Sequence, residues 1–191
     1  MEKNRNLFWK LVESEHLKAR AFCRKLTGSR ENGDDLYQDS LVHALSKFNS
    51  LRKIKAFRPW LYRIIINKFK NSVRRPWWKT FSPMTKEIEE SIGGNDPFTG
   101  YLARRRISKA FKILSANEQA LVTMYEMDGW SVTELAKLHG KSNAAIKMKL
   151  SRIRARMRKE LTKLPPSNDR EAVKIFNSED EICVATKQGK N

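Results

Sequence analysis

The sequence predicts an all-α protein built from two small helical domains that are joined by a flexible linker. Every long apolar pattern in the 191-residue chain recurs with the helical period, and no stretch alternates as an amphipathic strand would. Proline, glycine and acidic residues are concentrated between residues 80 and 100, where the helical period is lost. This interruption predicts domains at residues 1–78 and 102–164, a linker at 79–101, and a tail at 165–191 that we expect to be largely disordered.

The N-terminal domain is predicted to contain three helices. The polar run from Ser29 to Gly33 is expected to separate the first two, and carboxylates are expected on the first turns of the second, where they favour the helix dipole. Pro59 is placed near the start of the third helix, where proline is tolerated, and Pro76 ends it. The predicted helices lie at residues 7–26, about 34–48 and 57–75, with a loop at 49–55.

The C-terminal domain carries two capping boxes, which mark two helix starts. Each has the form Ser-x-x-Glu, beginning at Ser115 and at Ser131. Gly129 and Gly140 suit the left-handed position that follows a helix end. The pattern is typical of a helix-turn-helix, whose second helix is predicted to run from about residue 143 to 161.

The overall charge indicates a polyanionic partner. The chain has 39 Lys and Arg against 21 Asp and Glu, a net charge of +18 and a pI of about 10.1. Both predicted domains are basic, whereas the linker between them is acidic. A solvated helix face explains a single basic run, but two basic blocks that each coincide with a motif favour nucleic acid.

Several classes of site and location are not supported by the sequence. The only cysteines, Cys23 and Cys183, are far apart and belong to no metal-ligand pattern, so we expect neither a disulfide framework nor a zinc site, and no cofactor. The N-terminus lacks an apolar signal core, and the longest aliphatic run is Ile64–Ile66, too short to insert into a membrane. We therefore expect a cytoplasmic protein.

The helix-turn-helix predicts contact with a DNA duplex. The small Ala136 suits a close helix crossing, and Ile146 is expected to pack back onto the first helix, which leaves the second free to enter a major groove. The Lys and Arg side chains on the second helix are suited to contact DNA phosphates. The alternative interpretation is that the pattern marks a helical hairpin in an ordinary protein core. The predicted contacts are Ser142, Asn143, Ala144 and Ala145 to base edges, and Lys147, Lys149 and Arg152 to phosphates.

The third N-terminal helix predicts contact with unpaired bases. Trp60 and Tyr62 lie among cations and amides, and an aromatic ring that stacks on a base contributes about 1–3 kcal/mol without fixing the sequence. The alternative is that both rings are partly core residues. The side chains expected to follow the phosphates are Asn67, Lys68, Asn71, Arg74 and Arg75.

Two segments together resemble one protein family. D-D-L-Y-Q-D-S-L followed by F-R-P-W-L-Y-R-I-I-I-N resembles the conserved helices of the extracytoplasmic-function (ECF) sigma factors of bacterial RNA polymerase. L-S-A-N-E-Q-A-L-V and G-K-S-N-A-A-I-K-M-K-L-S-R-I-R-A-R-M-R resemble their promoter-binding helix-turn-helix. The likeness covers about residues 7–75 and 102–161. It implies a protein without enzymatic activity that binds core polymerase, recognises the −10 and −35 promoter elements and promotes DNA melting.

The resemblance also implies sites and partners. The polymerase contacts would be the clamp helices and the flap, the acidic linker would enter the polymerase towards the RNA exit channel, and an anti-sigma factor is a further partner of family members. Lys141, Ala144–Ala145 and Met148 depart from the usual family pattern, which affects the −35 sequence preference. The implied sites are Asp35, Leu36, Gln38 and Asp39 for polymerase; Asn49, Ser50, Leu51, Arg52, Lys53, Trp60, Arg63, Asn67, Lys68, Asn71, Arg74 and Arg75 for −10 DNA; and Ser142, Asn143, Ala145, Lys147, Met148, Lys149 and Arg152 for −35 DNA.

Two rival hypotheses differ in class. A free-standing helix-turn-helix regulator, whose N-terminal domain senses a ligand or dimerises, explains the C-terminal domain equally well, but not an acidic helix beside a basic, aromatic one. A nucleic-acid enzyme has little support, because the chain has no metalloprotease motif, phosphate-binding glycine loop or metal-ligand spacing. His16, His43 and His139 are isolated in the sequence and are expected to be surface or packing residues.

Overall fold

The computed structural model describes residues 2–73 and 106–163, and throughout these ranges the regular structure is helical. The all-α prediction is therefore confirmed for the described residues, with three long helices before the gap and four helical segments after it. The predicted linker, the predicted tail, Arg74 and Arg75 lie outside the described residues.

The N-terminal domain is a three-helix unit around an aromatic and aliphatic core. Two short 3-10 turns, Phe48–Ser50 and Ile54–Ala56, occupy most of the predicted loop. Phe8, Phe22, Leu61 and Ile65 are completely buried where the three helices meet. The helices are α1 (Glu2–Thr27), α2 (Arg30–Lys47) and α3 (Phe57–Val73).

Helix α2 begins about four residues earlier than the polar run suggested. Ser29 is its N-cap, and the Ser29 hydroxyl accepts a hydrogen bond from the Asn32 amide at 3.4 Å. Gly33 therefore lies inside the helix. A Cβ atom at Gly33 would meet the Cα atom of Arg24 at 2.5 Å, so this glycine allows α1 and α2 to approach closely.

We expect Gly33→Ala to destabilise the N-terminal domain by about 1–3 kcal/mol, because the new methyl group would push against the backbone of α1. Val42→Ala on the exposed side of the same helix is the matched control, since Val42 is 71% exposed. Urea unfolding of both variants measures the difference. Equal free energies of unfolding for Gly33→Ala and the wild type would show that the helices do not need this close approach.

A shared carboxylate ties α2 to α1. The Asp34 carboxylate accepts two hydrogen bonds from Arg20, at 2.8 and 2.6 Å, and two from Arg24, at 2.7 and 2.9 Å. These hydrogen bonds hold the pKa of Asp34 well below its ordinary value of 3.8. The ionised carboxylate therefore stabilises the fold above about pH 4.

We expect Asp34→Asn to lower the free energy of unfolding by about 1–3 kcal/mol at neutral pH. Because the pKa is depressed in the folded state, the stabilisation declines progressively as the pH falls below 3.8 towards that lower pKa, so the difference between wild type and variant should be smaller at pH 3 than at pH 7. Urea unfolding at pH 7 and pH 3 tests this, with Asp35→Asn at the exposed neighbouring position as control. A difference that stays constant between the two pH values would contradict the assignment.

The C-terminal domain has the predicted helix-turn-helix. Both capping boxes are present, at Ser115 with Glu118 and at Ser131 with Glu134. Gly129 and Gly140 have φ values of 66° and 61°, the left-handed conformation expected after helix ends. The helical segments are α4 (residues 106–112), α5 (Ala116–Glu126), α6 (Val132–His139) and α7 (Asn143–Thr162).

The two domains pack directly against each other. Helices α1 and α3 contact α5, and α3 also contacts α6. Tyr62 of α3 and Trp130, which precedes α6, meet with ring centroids 4.8 Å apart, and both rings are buried. The buried hydrophobic residues of the two domains form one continuous cluster.

Candidate promoter and polymerase interfaces

The start of α7 projects from the C-terminal domain as an exposed recognition helix. Ile146 is 2% exposed and packs towards the domain core, as the sequence predicted. The Ser142 hydroxyl caps the helix by accepting a hydrogen bond from the Ala145 amide at 3.2 Å. The Asn143 side-chain amide donates a hydrogen bond to the Thr133 hydroxyl at 3.4 Å, and this bond connects the first turn of α7 to α6.

The cations of α7 fall into two groups. Lys147, Lys149 and Arg152 are exposed together with Met148, which is 54% exposed, so this half of the helix is available to a ligand. In contrast, Arg154 pairs with Glu126 and Arg156 pairs with Glu118, each at 2.7 Å, and these contacts fasten α7 to α5. The N-terminal half of α7 therefore offers an exposed basic surface for phosphates, next to the helix start that is predicted to meet the bases.

The aromatic pair of α3 is divided between the surface and the core. Trp60 is half-buried, packed against Phe48 and Phe57 with ring centroids 6.4 and 5.9 Å apart. Tyr62 is only 1% exposed and contacts Phe22 and Trp130. The expectation that Tyr62 stacks on a base is wrong for this conformation, because its ring fills the core and the domain interface.

The predicted −10 loop presents mainly polar side chains. Asn49, Ser50, Arg52 and Lys53 are exposed, whereas Leu51 is half-buried and packs on the core. The Asn49 side-chain oxygen accepts a hydrogen bond from Asn4 at 3.3 Å, and the Ser50 hydroxyl donates to the Lys47 carbonyl at 2.6 Å. Leu51 thus anchors a loop whose remaining side chains face outwards.

The predicted polymerase-binding residues of α2 share one exposed face, with one exception. Asp35, Gln38 and Asp39 lie at helical spacing and are exposed. Leu36 is 6% exposed and belongs to the core, so its part in the surface is to hold the helix rather than to touch a partner. A groove of about 380 Å³ separates this face from α3, with Asp35 and Asp39 on one side and Lys68 and Asn71 on the other.

Some of the predicted −10 and −35 residues line a single cleft between the domains. The cleft has a volume of about 960 Å³. Arg63 and Asn67 line it from α3, and Ala145, Met148, Lys149 and Arg152 line it from α7. The Arg63 guanidinium donates a hydrogen bond to the Leu138 carbonyl at the end of α6.

The charge in this cleft acts on a neighbouring histidine. Burial, followed by the positive charges of Lys149 and Arg63, lowers the pKa of His139. One cation comes from each domain, so positive charge from the predicted −10 and −35 surfaces converges at this point.

Sequence reasoning missed the residues that join the domains. Arg58, Lys25 and Asp128 form contacts between α1, α3 and the turn before α6. The Asp128-Gly129-Trp130 turn is visible in the sequence as a helix end followed by a buried aromatic. Lys25, the partner of Asp128, lies 103 positions away, so no local pattern reports the pairing.

The described residues offer neither a metal site nor a membrane span. Within 2–73 and 106–163, no group of three or more His, Cys, Asp or Glu side chains is placed to hold a metal ion. No described helix is both long enough and apolar enough to cross a membrane.

Comparison with known proteins matches both domains to one family. Residues 11–79 match sigma-70 region 2, and residues 104–157 match sigma-70 region 4. The RNA polymerase sigma factor NccH of Alcaligenes xylosoxydans xylosoxydans is 31% identical over 160 residues, which cover 78% of this chain and 84% of that protein. The chain belongs to the ECF sigma factors.

Further relatives of this sigma factor agree with the assignment. The ECF RNA polymerase sigma factor SigM of Mycobacterium tuberculosis is 24% identical over 163 residues, 81% of this chain and 76% of its own length. The sigma factor RpoE of Bartonella quintana, solved with the anti-sigma factor NepR, has a TM-score of 0.54 at 23% identity and covers 87% of this chain and all of its own. CnrH, solved with the cytosolic domain of CnrY, has a TM-score of 0.58 at 20% identity. The match covers 83% of this chain and 90% of the CnrH chain. These two structures share the fold.

Region 2 coincides with the acidic face of α2 and the basic α3, and region 4 coincides with the helix-turn-helix. The N-terminal domain is therefore a sigma-70 region 2 and not the ligand-sensing or dimerising module that the hypothesis of a free-standing regulator required. The protein is a transcription initiation factor whose two regions serve polymerase binding and promoter recognition.

Proposed function

We propose that this sigma factor divides promoter recognition among three exposed surfaces. The face of α2 with Asp35, Gln38 and Asp39 binds the clamp helices of core polymerase. The loop at 49–53 and the exposed side of α3 bind the opened −10 element, and the N-terminal half of α7 binds the −35 duplex, while region 4 meets the polymerase flap. The exposure of carboxylates on α2 and of cations on α3 and the N-terminal half of α7 is the observation that carries this proposal.

The chemistry of each surface suits its proposed ligand. The exposed carboxylates of α2 are unsuited to DNA, because phosphates would repel them, and are suited to a basic protein surface. The α3 surface combines the half-buried Trp60 with Asn67, Lys68 and Asn71, which fits bases and phosphates of a separated strand. The second helix of a helix-turn-helix enters a major groove, and in the proposed complex Asn143 at the start of α7 lies near the base edges.

The remaining properties follow from that role. The sigma factor performs no covalent chemistry of its own, requires no cofactor and acts in the cytoplasm at the nucleoid, where polymerase and promoters are found. RpoE was solved with the anti-sigma factor NepR and CnrH with the cytosolic domain of CnrY, and we propose that an anti-sigma factor also binds this chain. Bases captured outside the duplex drive melting, because each stacked base offsets part of the cost of unpairing.

Reconstitution with bacterial core RNA polymerase tests the function directly. The probe is a linear DNA library with randomised −10 and −35 elements, from which the holoenzyme selects templates that yield transcripts. We expect tight binding to core, selection of both elements and permanganate-reactive thymines near −10. No binding to core, together with tight duplex binding by the free protein, would instead support an independent helix-turn-helix regulator.

A further inference from the structure

Met148 is a long apolar side chain on the outermost face of the helix that is proposed to enter the −35 major groove. It is 54% exposed. At 3.6 residues per turn, Met148 points almost directly away from the stripe that packs α7 onto its own domain. That buried stripe consists of Ile146, Leu150, Ile153 and Met157. When the outer face of α7 enters a groove, Met148 therefore points towards the base edges on the groove floor.

The outer face around Met148 is apolar on its N-terminal side. Ala144 lies one turn before Met148 on the same face, and both Ala144 and Ala145 are exposed. Alanine has no polar side-chain atom, and the sulfur of methionine is at most a weak hydrogen-bond acceptor. These side chains therefore offer no strong hydrogen bond to a base, and they can distinguish bases only by apolar contact and by shape.

Exposed cations lie on both sides of this apolar face. Around the helix axis, Lys147 lies to one side of Met148, whereas Lys149 and Arg152 lie to the other side. A helix that fills a major groove about 12 Å wide brings its two flanks near the phosphates of both strands. The cations thus orient α7 on the phosphates, and the side chain between them meets the bases.

The major groove displays one kind of apolar group, the 5-methyl group of thymine. Guanine, adenine and cytosine present ring nitrogen, carbonyl or amino groups at the corresponding edges. A thioether side chain packed on these polar groups removes them from water without a hydrogen bond, which costs free energy. The same side chain packed on a thymine methyl group buries apolar surface on both partners, which is favourable.

From these observations we infer that Met148 makes this sigma factor select a thymine in the −35 element, on either strand, through the 5-methyl group. The inference rests on the proposed binding of the −35 duplex by α7 and adds the chemical group that is recognised at one base pair. Met148 is among the residues that depart from the usual family pattern, so this preference is specific to this chain.

Replacement of thymine by deoxyuridine isolates the contact, because it removes the methyl group and leaves every hydrogen-bonding atom of the base in place. The probe is a linear promoter duplex that carries the −35 element selected by the holoenzyme, with the −10 element unchanged. Each thymine of the −35 element, on both strands, is replaced in turn. Competition binding to the wild-type holoenzyme should show one thymine whose replacement weakens affinity about fourfold.

Variants of the full chain assign that methyl contact to one side chain. Met148→Ala and Met148→Gln should bind the thymine and deoxyuridine duplexes equally, and the glutamine variant separates apolar character from side-chain length. Met148→Leu should keep most of the discrimination, because it keeps an apolar contact. Ser151→Ala, exposed one turn further along the same face, should keep all of it. Lys147→Ala should weaken binding to both duplexes by the same factor, because phosphate contacts carry no base information.

Two results would overturn the inference while leaving α7 as the −35 recognition helix. One is a selected −35 element in which no thymine is sensitive to loss of its methyl group. The other is full methyl discrimination in Met148→Ala, since a different residue would then make the contact. A holoenzyme that binds core polymerase but selects no −35 element would instead refute the proposed function of α7, and the inference with it.

Discussion

Replacement of Asp35, Gln38 and Asp39 by alanine is expected to weaken binding to core RNA polymerase by roughly 100-fold or more. Three exposed polar groups on one face of α2 would be lost together, and anchors at the centre of an interface contribute about 1–2 kcal/mol or more each. The fold should be retained, because none of the three side chains is buried. Competition binding to core polymerase, with a labelled wild-type chain, measures the loss.

A variant of α1 controls for the removal of exposed polar side chains. Glu13 and Asn6 are exposed in the same domain but belong to α1, away from this face of α2. Their replacement by alanine should leave affinity within a factor of about 3, since surface changes outside a contact have small effects. Equal losses in the α2 triple variant and this α1 variant would mean that exposed polar groups in general, and not the α2 face, govern docking.

Replacement of Lys147, Lys149 and Arg152 by alanine is expected to weaken −35 duplex binding roughly 100-fold at 0.15 M salt. Each cation that contacts a phosphate releases counterions, so the slope of log affinity against log salt should fall by about 0.9 per residue. All three side chains are exposed on the half of α7 that is not fastened to α5. The loss should be similar for every −35 sequence, because phosphate contacts carry no base information.

Two comparisons make that prediction specific. Lys112, Arg158 and Lys159 are exposed on the same domain. Their replacement by alanine removes the same total charge but should change the slope of log affinity against log salt by less than about 1. Asn143→Ala should instead alter base preference while leaving the salt slope unchanged. If the salt slope fell equally in the two triple variants, the phosphate contacts would not be specific to the N-terminal half of α7.

The helix-turn-helix was predictable because its signals are local. A capping box needs only residues three positions apart, and a left-handed glycine ends a helix through its own backbone freedom, so both boxes and both turns were placed correctly. The start of α2 was misplaced because Gly33 resembles a turn residue in sequence. Its role depends on Arg24 of another helix, which no local pattern reports.

For the same reason, the sequence could not show which of the predicted surface residues are exposed and which are buried or paired. Trp60 and Tyr62 are two positions apart and similar in chemistry, but the second is buried against Phe22 and Trp130. The cations of α7 are equally indistinguishable in sequence. Glu126 and Glu118 of α5 decide that Arg154 and Arg156 fasten the helix, whereas Lys147, Lys149 and Arg152 stay exposed.

By itself, the sequence determined the helical class, the helix-turn-helix, the family and the segments that carry the candidate surfaces. Helical period, caps and motif residues act over a few positions, which is the range that a linear pattern can encode visibly. Only the tertiary structure decided which side chains face outwards and that the two domains close on each other. Lys25 and Asp128 are separated by 103 positions, and their pairing depends on how whole helices pack.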